Sequence, residues 1–206
     1  MTAHLRADSA GNTYGVWAQR QPMSCAIASM WMAINQVNQS TAAEGEWALA
    51  QRTFQHAVQG TSWASTDPGA NGGGRSIDAG SVAQDGSTSD SVFGVTGTGP
   101  AMWKSALTAN GISVSMTKAN GAWPHRLNAT RLGQTTPALV GVGWWSNSGG
   151  KWRRNSGHVI VAAGTMGGGS IVYLDPAGGV LRETANNGRY SSTGWVEVVL
   201  YLSASN

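Results

Sequence analysis

With a single cysteine, Cys25, among 206 residues, the chain cannot form an internal disulfide, which excludes a disulfide-stapled secreted scaffold and leaves a thiol expected to be free. Charge is also scarce: Asp, Glu, Lys and Arg make up 11% of the chain, and 13 scattered bases against 10 acids give +3. That balance is no nucleic-acid footprint, and no nucleic-acid partner is expected. The one basic cluster, Lys151, Arg153 and Arg154, reads as a solvated loop face. No apolar run is long enough to span a bilayer, and no charged stretch leads into an apolar core at the N-terminus, so a soluble protein without a signal peptide is expected. Several catalytic signatures are missing too. There is no Gly-x-Ser-x-Gly elbow, His-Glu-x-x-His, P-loop or Cys-x-x-Cys pair. Gly94-Val-Thr-Gly-Thr-Gly99 lacks the strand-to-helix setting that phosphate binding requires.

What the chain does have is 29 glycines and 10 tryptophans, the mark of a globular domain with long polar loops. Ile27, Met30, Trp31, Ile34 and Val37 recur at helical spacing over residues 22 to 38, and Ala26, Ala28, Met32 and Ala33 make that helix apolar nearly all round and buried. A second helix is predicted over Ala42 to Ala57 and a long loop over Gly60 to Pro100. Short helices are expected over Pro100 to Ala109 and His125 to Leu132. From Pro137 onward the runs Pro137–Trp145, His158–Ala163, Ser170–Leu174 and Trp195–Tyr201 read as strands. Helices first and strands afterwards predict a single α+β domain with an antiparallel sheet.

Cys25 falls at the start of the buried helix, where unpaired backbone N–H groups and the helix dipole favour an anion. The bland alternative is a small buried hydrophobe. A catalytic thiol needs a base. Of His4, His56, His125 and His158, the last differs by opening an apolar strand after Ser156-Gly157. Gly164-Thr-Met-Gly-Gly-Gly169 reads as a hairpin turn. Centred on Met166 and Gly167, it would set His158 directly opposite Asp175, at roughly 5 Å between Cβ atoms. Asp175 would then orient the imidazole. Alternatively, Asp175-Pro176 simply ends a strand in a turn. Gln19 and Gln21 lie close enough to Cys25 to supply an oxyanion donor, or are plain loop residues.

Gln19-Arg-Gln-Pro-Met-Ser-Cys25-Ala, then Gly157-His158-Val-Ile-Val, then Val172-Tyr-Leu-Asp175-Pro176 resembles, in order, the active-site segments of papain-like cysteine proteases. The compact bacterial branch, with staphopains, bacteriocin-leader peptidases and effector proteases, looks most similar. The likeness covers mainly residues 17 to 35 and 137 to 178. It implies a papain-like fold: a helical N-terminal part over about 17–132, with a central catalytic helix, packed on a C-terminal antiparallel sheet over about 133–206. It also implies Cys25 as nucleophile, His158 as general base and acid, Asp175 as orienting residue and Gln19 in the oxyanion hole, with a protein or peptide substrate and neither cofactor nor metal. The chain departs from papain in carrying Ala26 where papain has Trp, and Asp rather than Asn as third member. The same triad would equally serve a glutamine deamidase, a transglutaminase-like enzyme or a peptidoglycan amidase. A non-catalytic binding module is the reading from a different class. Trp144, Trp145 and Trp152 would wall a cleft or pack in the core. A cytoplasmic location and export by a non-classical bacterial route are equally open, as is an inhibitor or immunity partner.

Overall fold

The computed structural model describes residues 2–19, 25–40, 99–118 and 125–205. The helix expected over Ala42 to Ala57, nearly all of the loop expected over Gly60 to Pro100, His56 and Gln21 lie outside these residues.

The chain opens on strands β1 (Thr2–Ala7) and β2 (Thr13–Ala18), paired antiparallel as a hairpin. Helix α1 (Cys25–Val37) follows, and helix α2 (Pro100–Ala109) leads into β3 (Ile112–Lys118). A short 3-10 turn at Ala129–Arg131 precedes β4 (Ala138–Ser148), β5 (Lys151–Thr165), β6 (Ser170–Asp175), β7 (Val180–Ala185) and β8 (Gly194–Ala204). Six strands form one antiparallel sheet in the order β3-β8-β4-β5-β6-β7.

This overturns the expected α+β, papain-like architecture. Among the described residues eight strands stand against two α-helices and one 3-10 turn, and the N-terminal part is a β-hairpin followed by one helix rather than a helical half built round a central catalytic helix. The physical reason lies in residues 2 to 18. Tyr14, Val16 and Trp17 are buried while Thr13 is exposed, and Gly11, at φ 86°, sits in the turn that reverses the chain. That period near two makes strands, and a left-handed turn residue joins them. Two further expectations are corrected. The segment from His125 to Leu132 forms only the 3-10 turn, and the basic residues 151 to 154 lie in strand β5 rather than in a loop.

Both faces of the sheet are covered, which is why its strands read as unbroken apolar runs. One face, through Leu139, Val159, Val161, Val172, Leu174 and Leu200, packs with α1, α2 and Trp17 of β2. The other, through Val140, Ile160, Ala162, Tyr173 and Val196, packs beneath Leu127 and Tyr190. Helix α1, with eleven of its thirteen residues buried, lies between β2 and β5. Its register on β5 is pinned by two side chains: the Ser29 hydroxyl donates to the Val159 carbonyl at 2.7 Å, and Gln36 Nε2 donates to that of Ala163 at 2.7 Å. Among the described residues no helix is long and apolar enough to cross a membrane.

Candidate active site

Cys25 is the first residue of α1, partly buried at the edge of the core that the helix makes with the sheet. His158 lies midway along β5, where the strand passes from its exposed hairpin end into the buried sheet. Asp175 ends β6 and is 4% exposed. These three side chains form a chain of contacts. His158 Nε2 stands 2.7 Å from Asp175 Oδ1, and Cys25 lies near enough to the same ring to help raise its pKa. Because Asp175 takes Nε2, the other ring nitrogen, Nδ1, is left for the sulfur.

The route by which His158 meets Asp175 differs from the expected one. Strand β5 pairs with β6 as Val161 with Leu174 and Ala162 with Tyr173, so the continued ladder sets Asp175 opposite Ile160 rather than His158. The turn centres further along because Gly168 and Gly169, at φ 85° and 83°, take its left-handed positions, and a bulge at Ala163 absorbs the extra residue. The displacement at the site is two residues, an even number, so both side chains stay on one face and meet as a diagonal pair.

The carboxylate is heavily bound. Asp175 Oδ1 also accepts the Ala177 N–H at 2.8 Å, closing the turn that ends β6. Asp175 Oδ2 accepts the Tyr190 hydroxyl. Burial opposes ionisation of Asp175, yet the hydrogen bond and charge of His158, the Tyr190 hydroxyl and the Ala177 N–H outweigh it and hold the carboxyl below its ordinary range. Burial likewise disfavours the charged imidazole of His158. The hydrogen bond to Asp175, the closeness of Cys25 and the attraction of both groups in their ionised forms override it and raise His158 from 6.5 to about 9. Burial, then Asp175, pushes the Tyr190 phenol upward, which keeps it a donor.

Trp144 stacks on His158 with ring centroids 6.2 Å apart and planes 22° from parallel, and meets Tyr190 edge-on at 6.3 Å. It shields one side of the imidazole from water. Gln19 follows β2, and its backbone N–H donates to the Pro176 carbonyl at 2.9 Å, tying this residue to the turn after Asp175. Gln19, Cys25, His158 and Asp175 thus line one cleft of about 890 Å³, together with Trp103, Trp144, Arg154 and Glu197. His4 lies in β1 and His125 ahead of the 3-10 turn, and neither lines this cleft. Trp145 and Trp152 pack instead against Trp195, at 5.7 and 4.6 Å between centroids. Among the described residues no group of three or more His, Cys, Asp or Glu side chains is placed to hold a metal ion.

Tyr190 escaped the sequence reading. Its only signal there is a single aromatic in the otherwise polar run Asn186-Asn-Gly-Arg-Tyr190-Ser-Ser, which a surface loop has no reason to hold unless the ring is buried, and it is 4% exposed. Glu197 lacks even that, and Arg154 shows only as part of the basic cluster ahead of His158, because what brings the two together is a pair of bulges in strands distant in sequence. No protein-family model matches the chain, and no curated protein matches its sequence.

Proposed function

We propose that this chain is a cysteine peptidase that cleaves peptide bonds through a thioester acyl-enzyme. The observation that carries the reading is His158 held between Asp175 and Cys25, the sulfur at a helix start, all in a cleft of peptide-binding size. In this mechanism the Cys25 proton passes to His158 Nδ1, and the sulfur attacks the scissile carbonyl carbon. The tetrahedral oxyanion is stabilised by N–H donors at the α1 start and by the Gln19 side chain. The C–N bond breaks as Nδ1 returns its proton to the leaving amine, which leaves a thioester. A water then attacks the thioester carbon, giving its proton to His158, and the C–S bond breaks to release the acid and restore the thiol. Asp175 keeps the ring aligned and stabilises its protonated form, while Tyr190 and the Ala177 N–H keep Asp175 ionised.

The ordered likeness of residues 17 to 35 and 137 to 178 to papain-like peptidases supports this chemistry only, since the architecture differs. Deamidation, transamidation and amidase chemistry would use the same three groups, so products decide. Purified protein is incubated with denatured casein, a glutamine-rich protein and bacterial sacculi, and products are identified by mass spectrometry. Cleaved casein chains are expected. Ammonia release, or muropeptide cleavage without casein cleavage, would overturn the peptidase assignment.

A further inference from the structure

The cleft contains a second charged cluster that the triad does not use. Between the pairs Gly141 with Val198 and Val142 with Val196, strand β8 carries one extra residue, Glu197. Between Trp144 with Ser156 and Trp145 with Arg154, strand β5 carries another, Asn155. Bulges beside a cleft re-aim side chains. Here they bring Glu197 and Arg154 together: Arg154 Nε lies 2.8 and 3.1 Å from the two carboxylate oxygens, and Nη2 lies 3.0 Å from Oε2. Trp145 Nε1 donates to Glu197 Oε1 at 3.0 Å.

Two glycines make the space. A Cβ on Gly143 would fall 1.8 Å from Glu197 Oε1, and one on Gly157 would fall 2.6 Å from Arg154 Nη2, so both charged heads occupy hollows that any other residue would fill. The partners are unequal. Glu197 is 13% exposed, based in the sheet and fixed by the indole N–H, whereas Arg154 is 47% exposed on the projecting end of β5. The pair is bidentate, but the exposed guanidinium regains water as it leaves, so another cation can exchange with it. What remains when the guanidinium swings away is a fixed, largely buried carboxylate facing the cleft that holds Cys25 and His158.

We propose that Glu197 anchors a subsite for a cationic side chain of the substrate, an arginine or lysine, and that Arg154 is the built-in cation that the substrate displaces. An acidic side chain bound to Arg154 fits less well, because two of its three nitrogens already serve Glu197 and the carboxylate lies beneath them. The term substrate rests on the peptidase reading above, and the test separates the two.

Binding of fluorescein-labelled hexapeptides to full-length Cys25→Ala protein is measured by anisotropy, with peptide pairs that differ only by arginine or citrulline at each position in turn. At one position, arginine is expected to bind more tightly than citrulline. Glu197→Gln, which keeps an acceptor for Trp145, should lower that ratio by roughly ten- to a hundredfold, the factor of a charge-assisted hydrogen bond. Arg154→Ala should raise affinity for the arginine peptide several-fold by removing the competitor. Circular dichroism checks that each variant is folded. Equal binding of arginine and citrulline peptides at every position would overturn the subsite, as would an Arg154→Ala variant that loses arginine affinity as fully as Glu197→Gln does. Wild-type cleavage maps read the other claim: cuts without arginine selectivity leave the peptidase reading and remove the subsite, and arginine-selective binding without any cleavage does the reverse.

Discussion

His158 carries two opposed influences. Its burial favours the neutral ring, and its two partners favour the charged one strongly enough to place it near 9. Because the folded value lies above the ordinary 6.5, the stability it contributes is whole below about 6.5 and is lost as pH rises through about 9. In the proposed mechanism the same ionisation would remove the acid that protonates the leaving amine, so kcat/KM is expected to fall on its alkaline side near pH 9. Asp175→Asn removes the strongest support for the charged ring, so that alkaline limb should move to lower pH, while kcat/KM should drop by only about tenfold, less than on loss of Cys25, since a neutral amide still orients the ring. A pH–rate profile of both proteins reads this, and an unmoved limb would show that Asp175 does not govern the imidazole. Tyr190→Phe deletes one of the bonds that hold Asp175 ionised and leaves the buried Oδ2 without its hydroxyl donor. A stability loss of about 1–3 kcal/mol is expected in urea titration. A shift of the alkaline limb smaller than that of Asp175→Asn should accompany it, because Asp175 keeps its bond to the ring.

Among the elements, the spacing of α1 from β5 decides whether sulfur and imidazole meet. Ser29 lies one turn beyond Cys25 on the helix, and Val159 is the neighbour of His158 on the strand. The bond between them is therefore a strut beside the reacting pair. Ser29→Ala leaves the buried Val159 carbonyl without this donor, and the expected cost is about 1–3 kcal/mol in chemical denaturation, with slower alkylation of Cys25. Loss of stability with an unchanged alkylation rate would show that the strut holds the fold but not the site. Elements of this kind were legible where their pattern was long and unbroken: α1, α2 and the four apolar strands beyond residue 137 are written in continuous apolar runs or in a 3.6-residue period. Strands β1, β2, β3 and β7 were missed because they are short and alternate with Thr, Ser, Arg and Gly, which tertiary pairing overrides. The β5–β6 register was misread by two residues because competing glycines in the turn look alike in sequence, yet the parity of the strand preserved the site.

Across the whole molecule, the expectation of a helical N-terminal half failed while Cys25, His158 and Asp175 still came together. A fold class depends on which weak local patterns tertiary packing selects, and residues 2 to 18 chose pairing as a hairpin that flanks α1. The site depends on less: one helix start and two strand positions that share a sheet face. Residues 17 to 19 join the two levels, because β2 delivers Trp17 to the core and Gln19 to the turn that follows Asp175. The cationic subsite was invisible for the opposite reason, since it exists only through bulges in β5 and β8 and the two hollow glycines between them. The most direct measurement of the central claim uses the fact that Cys25 is the chain's one thiol. Wild-type protein and His158→Ala are treated at pH 7 with an epoxide-type cysteine-protease inhibitor and followed by intact mass. A single adduct on wild type, forming about a hundredfold or more faster than on His158→Ala, is the expected result; no adduct on the folded wild type, or equal rates in the two proteins, would contradict it.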